Sequence, residues 1–230
     1  TSKFRRMIQA GIIGGAGYTA GELIRLLVGH SKVHINFVYS TSSAGKKIST
    51  IHQDLEGTTN QLFTDLIKTD IDVLFLCLGH GNSKAFLEKN TFSKTTKIID
   101  LSNDFRLTEA AVFQNMPFVY GLPELNKLAI QTAQYIANPG CFATAIQLAI
   151  LPLAANSLIK HAIHVNAVTG ATGAGMMHRI YCAHPLAEPM AQSMLEGLHV
   201  LHELMDVFAQ VLAHGPNFGV RMQGSAAACF

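Results

Sequence analysis

Short apolar runs alternate with stretches of helical periodicity along the first half of this chain. Residues 7–13 (MIQAGII) predict a strand, and residues 20–28 (AGELIRLLV) set Leu23, Leu26 and Leu27 on one face of a helix. A second strand is predicted over 34–39, a fully buried one over 73–78 (VLFLCL) and another over 97–101 (KIIDL). Strands alternating with helices predict a parallel sheet covered on both faces, with ligands beyond the carboxyl ends of its strands. Chemistry is therefore expected in the loops that follow strands.

The pattern restarts at Asn138 with an NPG turn, an apolar helix over 142–151 and a strand over 163–168 that runs into GATGAG at 170–175. This places a first domain at 1–137 and a second at 138–230. Beyond Gly175 the chain turns Met- and His-rich, with one amphipathic helix expected over 193–212. No internal repeat or low-complexity tract is present.

Composition narrows the classes of function. With 49% hydrophobic and 14% charged residues in 230, the chain has the material for well-packed cores. A net charge of +2, with Lys and Arg scattered, argues against nucleic acid as a partner and for a small molecule. The apolar stretch 146–155 is interrupted by Gln147 and Pro152, so no membrane span is expected. Lys3, Arg5 and Arg6 lead into a strand-turn-helix pattern, which argues against a cleavable signal peptide. Four cysteines without a CxxC pair or a short spacing predict no metal site and a reducing, cytoplasmic setting.

Gly11-Ile-Ile-Gly14-Gly15-Ala16-Gly17 joins the first strand to the first helix. Glycines there allow a tight turn and bring backbone N–H groups to a pyrophosphate at the helix N-terminus. An NAD site usually offers Asp or Glu at the end of the second strand, whereas this chain reads YSTSSAGKK from Tyr39. Hydroxyls of Ser40, Thr41 and Ser42, with charge from Lys46 or Lys47, suit a 2′-phosphate, so NADP(H) is the expected cofactor. The competing reading is a solvated polar loop.

Cys141 follows Asn138-Pro139-Gly140 and directly precedes the apolar helix, a placement in which partial positive charge favours thiolate; the competing reading is an inert structural cysteine. Cys77, inside VLFLCL, reads instead as a small buried hydrophobe. Cys182 and Cys229 carry no context.

These residues resemble the N-acetyl-γ-glutamyl-phosphate reductases of arginine biosynthesis. The matching stretches are GIIGGAGYTAGELIRLL (11–27), STSSAGK (40–46), LGHGNS (78–83), IIDLSNDFRL (98–107), VYGLPEL (119–125) and NPGCFATAIQLAILPL (138–153). The resemblance implies an α/β fold: a Rossmann-type doubly wound parallel sheet, followed by a second α+β catalytic and dimerisation domain. It implies that Cys141 captures the γ-acyl phosphate as a thioester, that NADPH reduces it to the semialdehyde, and that the enzyme is a homo-oligomer. Gly14, Ala16, Gly17 and Tyr18 would line the pyrophosphate, and Gly79 and His80 would stand at the nicotinamide side. Ser102, Asn103 and Arg106 would bind substrate, Arg106 through a bidentate fork. The plainer alternative makes Asp104 and Arg106 helix-capping or ion-pairing residues. Tyr120 and Glu124 are candidates for the pocket mouth or for a packed turn.

The family also uses an acid/base histidine some sixty residues after its cysteine, which falls on Leu198-His199-Val-Leu-His202. His199 is the first choice and His202 the second, against a surface helix face. After GATGAG the chain departs from the family pattern, so the second domain is expected to be incomplete or divergent. The alternatives to the reductase are a catalytically degraded NADP(H)-binding homologue and an enzyme like aspartate-semialdehyde dehydrogenase, which shares the thioester mechanism.

Overall fold

The computed structural model of the protein describes residues 6–160 and 163–165. The chain divides into two compact units between Asn138 and Pro139.

The first unit is built on one eight-stranded sheet. It opens with β1 (Ile8–Ile13), α1 (Tyr18–Leu27) and β2 (Val33–Tyr39). A short helix, α2 (Ile48–Ile51), leads to β3 (Phe63–Thr64), and then come β4 (Val73–Leu76), α3 (Ser83–Lys89) and β5 (Lys97–Asp100). A hairpin of β6 (Val112–Phe113) and β7 (Met116–Tyr120), helix α4 (Pro123–Thr132) and β8 (Tyr135–Ala137) complete it. The spatial order is β3-β2-β1-β4-β5-β8-β7-β6, parallel throughout except for the antiparallel pair β6–β7. β2 and β3 lie on one side of β1, and β4 and β5 on the other. The reversal of strand order beside β1 is a topological switch point, and its crevice is where a doubly wound sheet takes its ligand.

The strands are nearly all apolar because helices cover both sheet faces. Adjacent residues separate to opposite layers. Ile12 shares one layer with Ala20, Ile24, Val38, Ile48 and Phe63, while Ile13 shares the other with Phe37, Leu74, Leu87, Ile98 and Phe105. Each fully buried aliphatic or aromatic side chain contributes about 1.5–3 kcal/mol.

Three expectations need correction. In α1 the buried residues are Ala20, Gly21 and Ile24; Leu23 and Leu27 are half-buried, and Leu26 is 64% exposed. Leu26 stands two residues from Ile24, roughly 200° around the helix, so it cannot share that face. Strand β4 ends at Leu76 and β5 at Asp100, which moves Cys77, Leu78 and Leu101 into loops. Ile163, His164 and Val165 belong to no strand, and the rest of 163–168 lies outside the described residues, as do 170–175 and 193–212.

In the second unit the described residues form one helix, α5 (Cys141–Ala155). It starts a residue earlier than expected and runs past Pro152, and the Asn156 side-chain amide donates to the Pro152 carbonyl near its end.

Candidate active site

Strand β1 ends at Ile13, and Gly14 turns the chain with φ at +78°, which L side chains rarely adopt. A Cβ on Gly14 would stand 2.5 Å from the Cys77 carbonyl oxygen, so this turn lies directly against the loop after β4. The Gly15 N–H donates to the Tyr39 carbonyl at 2.8 Å and the Gly17 N–H to the Gly14 carbonyl at 3.2 Å. Gly17 caps α1 and Tyr18 is its first residue; no side chain caps that end and no acid stands in its first turn. Packing does not explain Gly17, because a Cβ there would come no closer than 3.6 Å to any neighbour. What its bare backbone leaves is room for a ligand to approach the helix amides. The turn therefore fits a dinucleotide pyrophosphate.

The loop after β2 is tied to β3 by its backbone. Ser40 N–H donates to Thr64 O, Gly45 N–H to Phe63 O and Phe63 N–H to Lys46 O, each at 2.9 Å. Thr41, Ser42, Lys46 and Lys47 are exposed on it, whereas Ser40 is buried with its Oγ 3.4 Å from that of Ser42. No carboxylate stands at the end of β2.

Loops after β4 and β5 are joined through Asp100, which is fully buried at the end of β5. Its Oδ1 accepts from Ser83 Oγ at 2.6 Å and from the Ser102 N–H at 3.2 Å, and its Oδ2 accepts from Ser102 Oγ at 2.7 Å. Burial raises the pKa of this carboxyl above the ordinary aspartate value, outweighing the Ser83 and Ser102 hydrogen bonds that act the other way. Asp104 accepts from the N–H groups of Gly81 at 2.6 Å and Lys84 at 3.1 Å, so the start of α3 is filled by the protein's own carboxylate. His80 Nδ1 accepts from the Asn103 N–H at 3.1 Å, which ties the loop after β4 to the loop after β5.

The DFR triplet sends three side chains to three places. Asp104 goes to α3; Phe105 goes to the core, stacked on Phe118 with centroids 4.0 Å apart; Arg106 donates from Nε to the Asn138 carbonyl at 2.8 Å and from a terminal nitrogen to the Leu101 carbonyl at 3.0 Å. Of the residues expected to bind substrate, Ser102 is completely buried with its hydroxyl committed to Asp100, while Asn103 and Arg106 are half-buried. Tyr120 is buried in β7 and Glu124 is exposed in the first turn of α4.

Cys141 is the first residue of α5, a free and exposed thiol. Gly140 caps the helix without a side-chain bond, and the first turn holds no acid. The Gly140 carbonyl accepts both the N–H and the hydroxyl of Thr144, at 2.9 and 2.8 Å, which fixes that turn. Cys77 contrasts with it: burial pushes its thiol up to about 12, with Asp100 adding to the rise. His199 and His202 lie outside the described residues.

Sequence reasoning passed over Asp100, Ser83 and His52. A lone acid ending an apolar strand and a serine opening a helix were the available signals for the first two. His52 gave none: its Nε2 lies 2.7 Å from the carbonyl oxygen of Gly15, 37 residues away. Among the described residues no group of three His, Cys, Asp or Glu side chains is placed to hold a metal, and no helix is long and apolar enough to cross a membrane.

Comparison with known proteins identifies the family. Residues 9–133 match the family described as semialdehyde dehydrogenase, NAD binding domain, and residues 141–192 match semialdehyde dehydrogenase, dimerisation domain. The chain belongs to the semialdehyde dehydrogenase family. Its curated relatives include the N-acetyl-gamma-glutamyl-phosphate reductase of Christiangramia forsetii, 63% identical over 169 residues that make up 74% of this chain and 51% of that protein. The reductase of the same name from Flavobacterium johnsoniae is 60% identical over 170 residues, 74% of this chain and 52% of that protein. The chain thus spans about half the length of the curated relatives it matches. The fold is shared with a probable aspartate-semialdehyde dehydrogenase from Pseudomonas aeruginosa, at 17% identity and a TM-score of 0.55 over 80% of this chain and 56% of that one. It is also shared with aspartate semialdehyde dehydrogenase II of Vibrio cholerae, at 18% identity and a TM-score of 0.53 over 80% of this chain and 55% of that one.

Proposed function

We propose that this chain reduces N-acetyl-γ-glutamyl phosphate to N-acetylglutamate semialdehyde with NADPH, releasing phosphate through a thioester on Cys141. The observation that carries this reading is the 63% identity, across 74% of the chain, to a reductase of that name.

The Cys141 thiolate attacks the acyl carbon; a carbon–sulfur bond forms, the bond to the phosphate oxygen breaks, and phosphate leaves with that electron pair. NADPH, when bound, supplies the hydride that brings the acyl group to the aldehyde level. The carbon–sulfur bond then breaks and sulfur departs as thiolate. His199, with His202 as the second candidate, takes the thiol proton of Cys141 before the attack and gives it to the departing phosphate oxygen. Gly14, Ala16, Gly17 and Tyr18 hold the cofactor's pyrophosphate. Ser40, Thr41 and Ser42, with Lys46 and Lys47 alongside, hold its 2′-phosphate. Gly79 and His80 flank the nicotinamide, Asn103 and Arg106 meet the substrate, and Ser102 acts from behind them through Asp100. The segment 1–137 serves as cofactor domain and 138–230 as catalytic domain, in a cytoplasmic homo-oligomer; the match to a dimerisation domain over 141–192 supports the last.

Mixing the chain with N-acetyl-γ-glutamyl phosphate, without NADPH, tests the covalent step. Intact-protein and peptide mass spectra should show one acetylglutamyl adduct, on the peptide of Cys141, released by hydroxylamine. An adduct on another residue, or none, would sink the proposal.

A further inference from the structure

We infer that His52 is a positioning residue for the pyrophosphate turn: it holds the Gly15 carbonyl from behind and thereby aims the Ala16 N–H outward, at the dinucleotide. This rests on the proposed reading that the turn binds NADP(H).

His52 follows α2 and is 8% exposed. Its own backbone is fixed on both sides, the N–H donating to Ile48 O and the carbonyl accepting from Leu55 N–H, each at 3.0 Å. The ring stands against α1: a Cβ on Gly21 would lie 2.5 Å from Nδ1 and 2.8 Å from Cε1. On another side is Phe63, with ring centroids 6.2 Å apart. Glycine is a poor residue for a helix interior, and here it is the residue that admits the imidazole. Ring and turn are therefore held by the same layer of packing that joins α1, α2 and β3.

The 2.7 Å contact from Nε2 to the Gly15 carbonyl has one polarity, because a carbonyl only accepts; Nε2 carries the proton. The consequence passes through the peptide plane. In a trans peptide the carbonyl and the next N–H point in opposite directions. With the Gly15 carbonyl drawn toward His52 in the covered layer, the Ala16 N–H points away from it. Among the described residues that N–H has no hydrogen-bond partner. An amide aimed out of a turn at the start of α1 suits a phosphate oxygen. Without the ring, the Gly15–Ala16 plane is free to rotate and the donor is no longer pre-aimed.

The test is titration of the 230-residue chain with NADPH and, separately, with adenosine 2′-monophosphate, which carries the 2′-phosphate but no pyrophosphate. His52→Gln places an amide donor where Nε2 stood, and His52→Leu fills the space without a donor. The Gln variant should bind NADPH within about twofold of wild type, and the Leu variant about five- to tenfold more weakly, the size of one lost hydrogen bond. Neither should change the affinity for adenosine 2′-monophosphate. Undiminished NADPH binding in His52→Leu, or equal weakening of both ligands, overturns the inference. Should the Leu variant not fold, His52→Asn, too short to reach the Gly15 carbonyl, takes its place with the same expectations. If wild type binds neither ligand, the cofactor reading itself fails, and this inference falls with it.

Discussion

Arg106 donates from Nε to the carbonyl of Asn138 at 2.8 Å, and Asn138 stands three residues ahead of Cys141. The same guanidinium holds the Leu101 carbonyl just past the end of β5, so one planar, preorganised fork fixes two carbonyls from two of its nitrogens, a geometry that a single flexible ammonium does not reproduce. Arg106→Lys should therefore lose about 1–3 kcal/mol of stability. It should also lower kcat in the proposed reaction more than it raises the KM for NADPH. Urea melts and steady-state kinetics check both, and unchanged stability would show that these bonds are not held in solution.

Cys141 and Cys77 should differ sharply in chemistry. With its thiol pushed up to about 12, Cys77 holds roughly one part in ten thousand as thiolate at pH 8, and its side chain is partly buried. Brief treatment with iodoacetamide, followed by peptide mapping, should modify the Cys141 peptide and leave that of Cys77 unmodified in the folded protein. Modification of Cys77 at a comparable rate would contradict the packing described for the loop after β4.

Asp100 has a pH signature of definite sign. Its folded pKa lies above the ordinary value of 3.8, so the folded state holds this proton more tightly than the unfolded chain does. The stability this supplies is present below pH 3.8 and is lost as the pH rises through the folded pKa. In Asp100→Asn that loss is absent. The stability of the variant minus that of wild type should climb from about pH 4 upward and level off once the folded group is ionised. Urea melts across pH measure this difference, and a difference that falls with pH would reverse the assignment.

Asp104 closes the N-terminus of α3 from a separate loop, through the Gly81 and Lys84 N–H groups. Asp104→Ala should cost about 0.5–2 kcal/mol, as loss of a helix cap does, with a fall in Tm of about 2–4 °C per kcal/mol. Asp104→Asn, which keeps an acceptor, should recover most of it. A thermal melt indistinguishable from wild type in the Ala variant would rule out the capping role.

Much of this arrangement was legible from local sequence, and the remainder depended on distance along the chain. The strands 7–13, 34–39, 73–78 and 97–101 were readable because a sheet covered on both faces demands unbroken apolar runs, and four such strands stand at its centre. Gly14, Gly17 and Cys141 were readable because a turn and a helix start are local events. The two-residue strands β3 and β6 were too short to carry a period. Ser83 with Asp100, Gly81 with Asp104 and Gly15 with His52 are 17, 23 and 37 residues apart, and only the fold brings them together. The resemblance implies a substrate contact at Ser102. The buried Asp100 turned it inward, a neighbour that the position alone did not reveal.

The proposed activity is NADPH-linked reduction of an acyl phosphate through Cys141. Its most direct test is the reverse reaction: phosphate-dependent reduction of NADP⁺ by N-acetylglutamate semialdehyde, with the intact chain and Cys141→Ser side by side. NADPH formation that requires phosphate should proceed in wild type and vanish in the serine variant. Equal rates in the two proteins, or NADPH binding with no turnover in either, would contradict it.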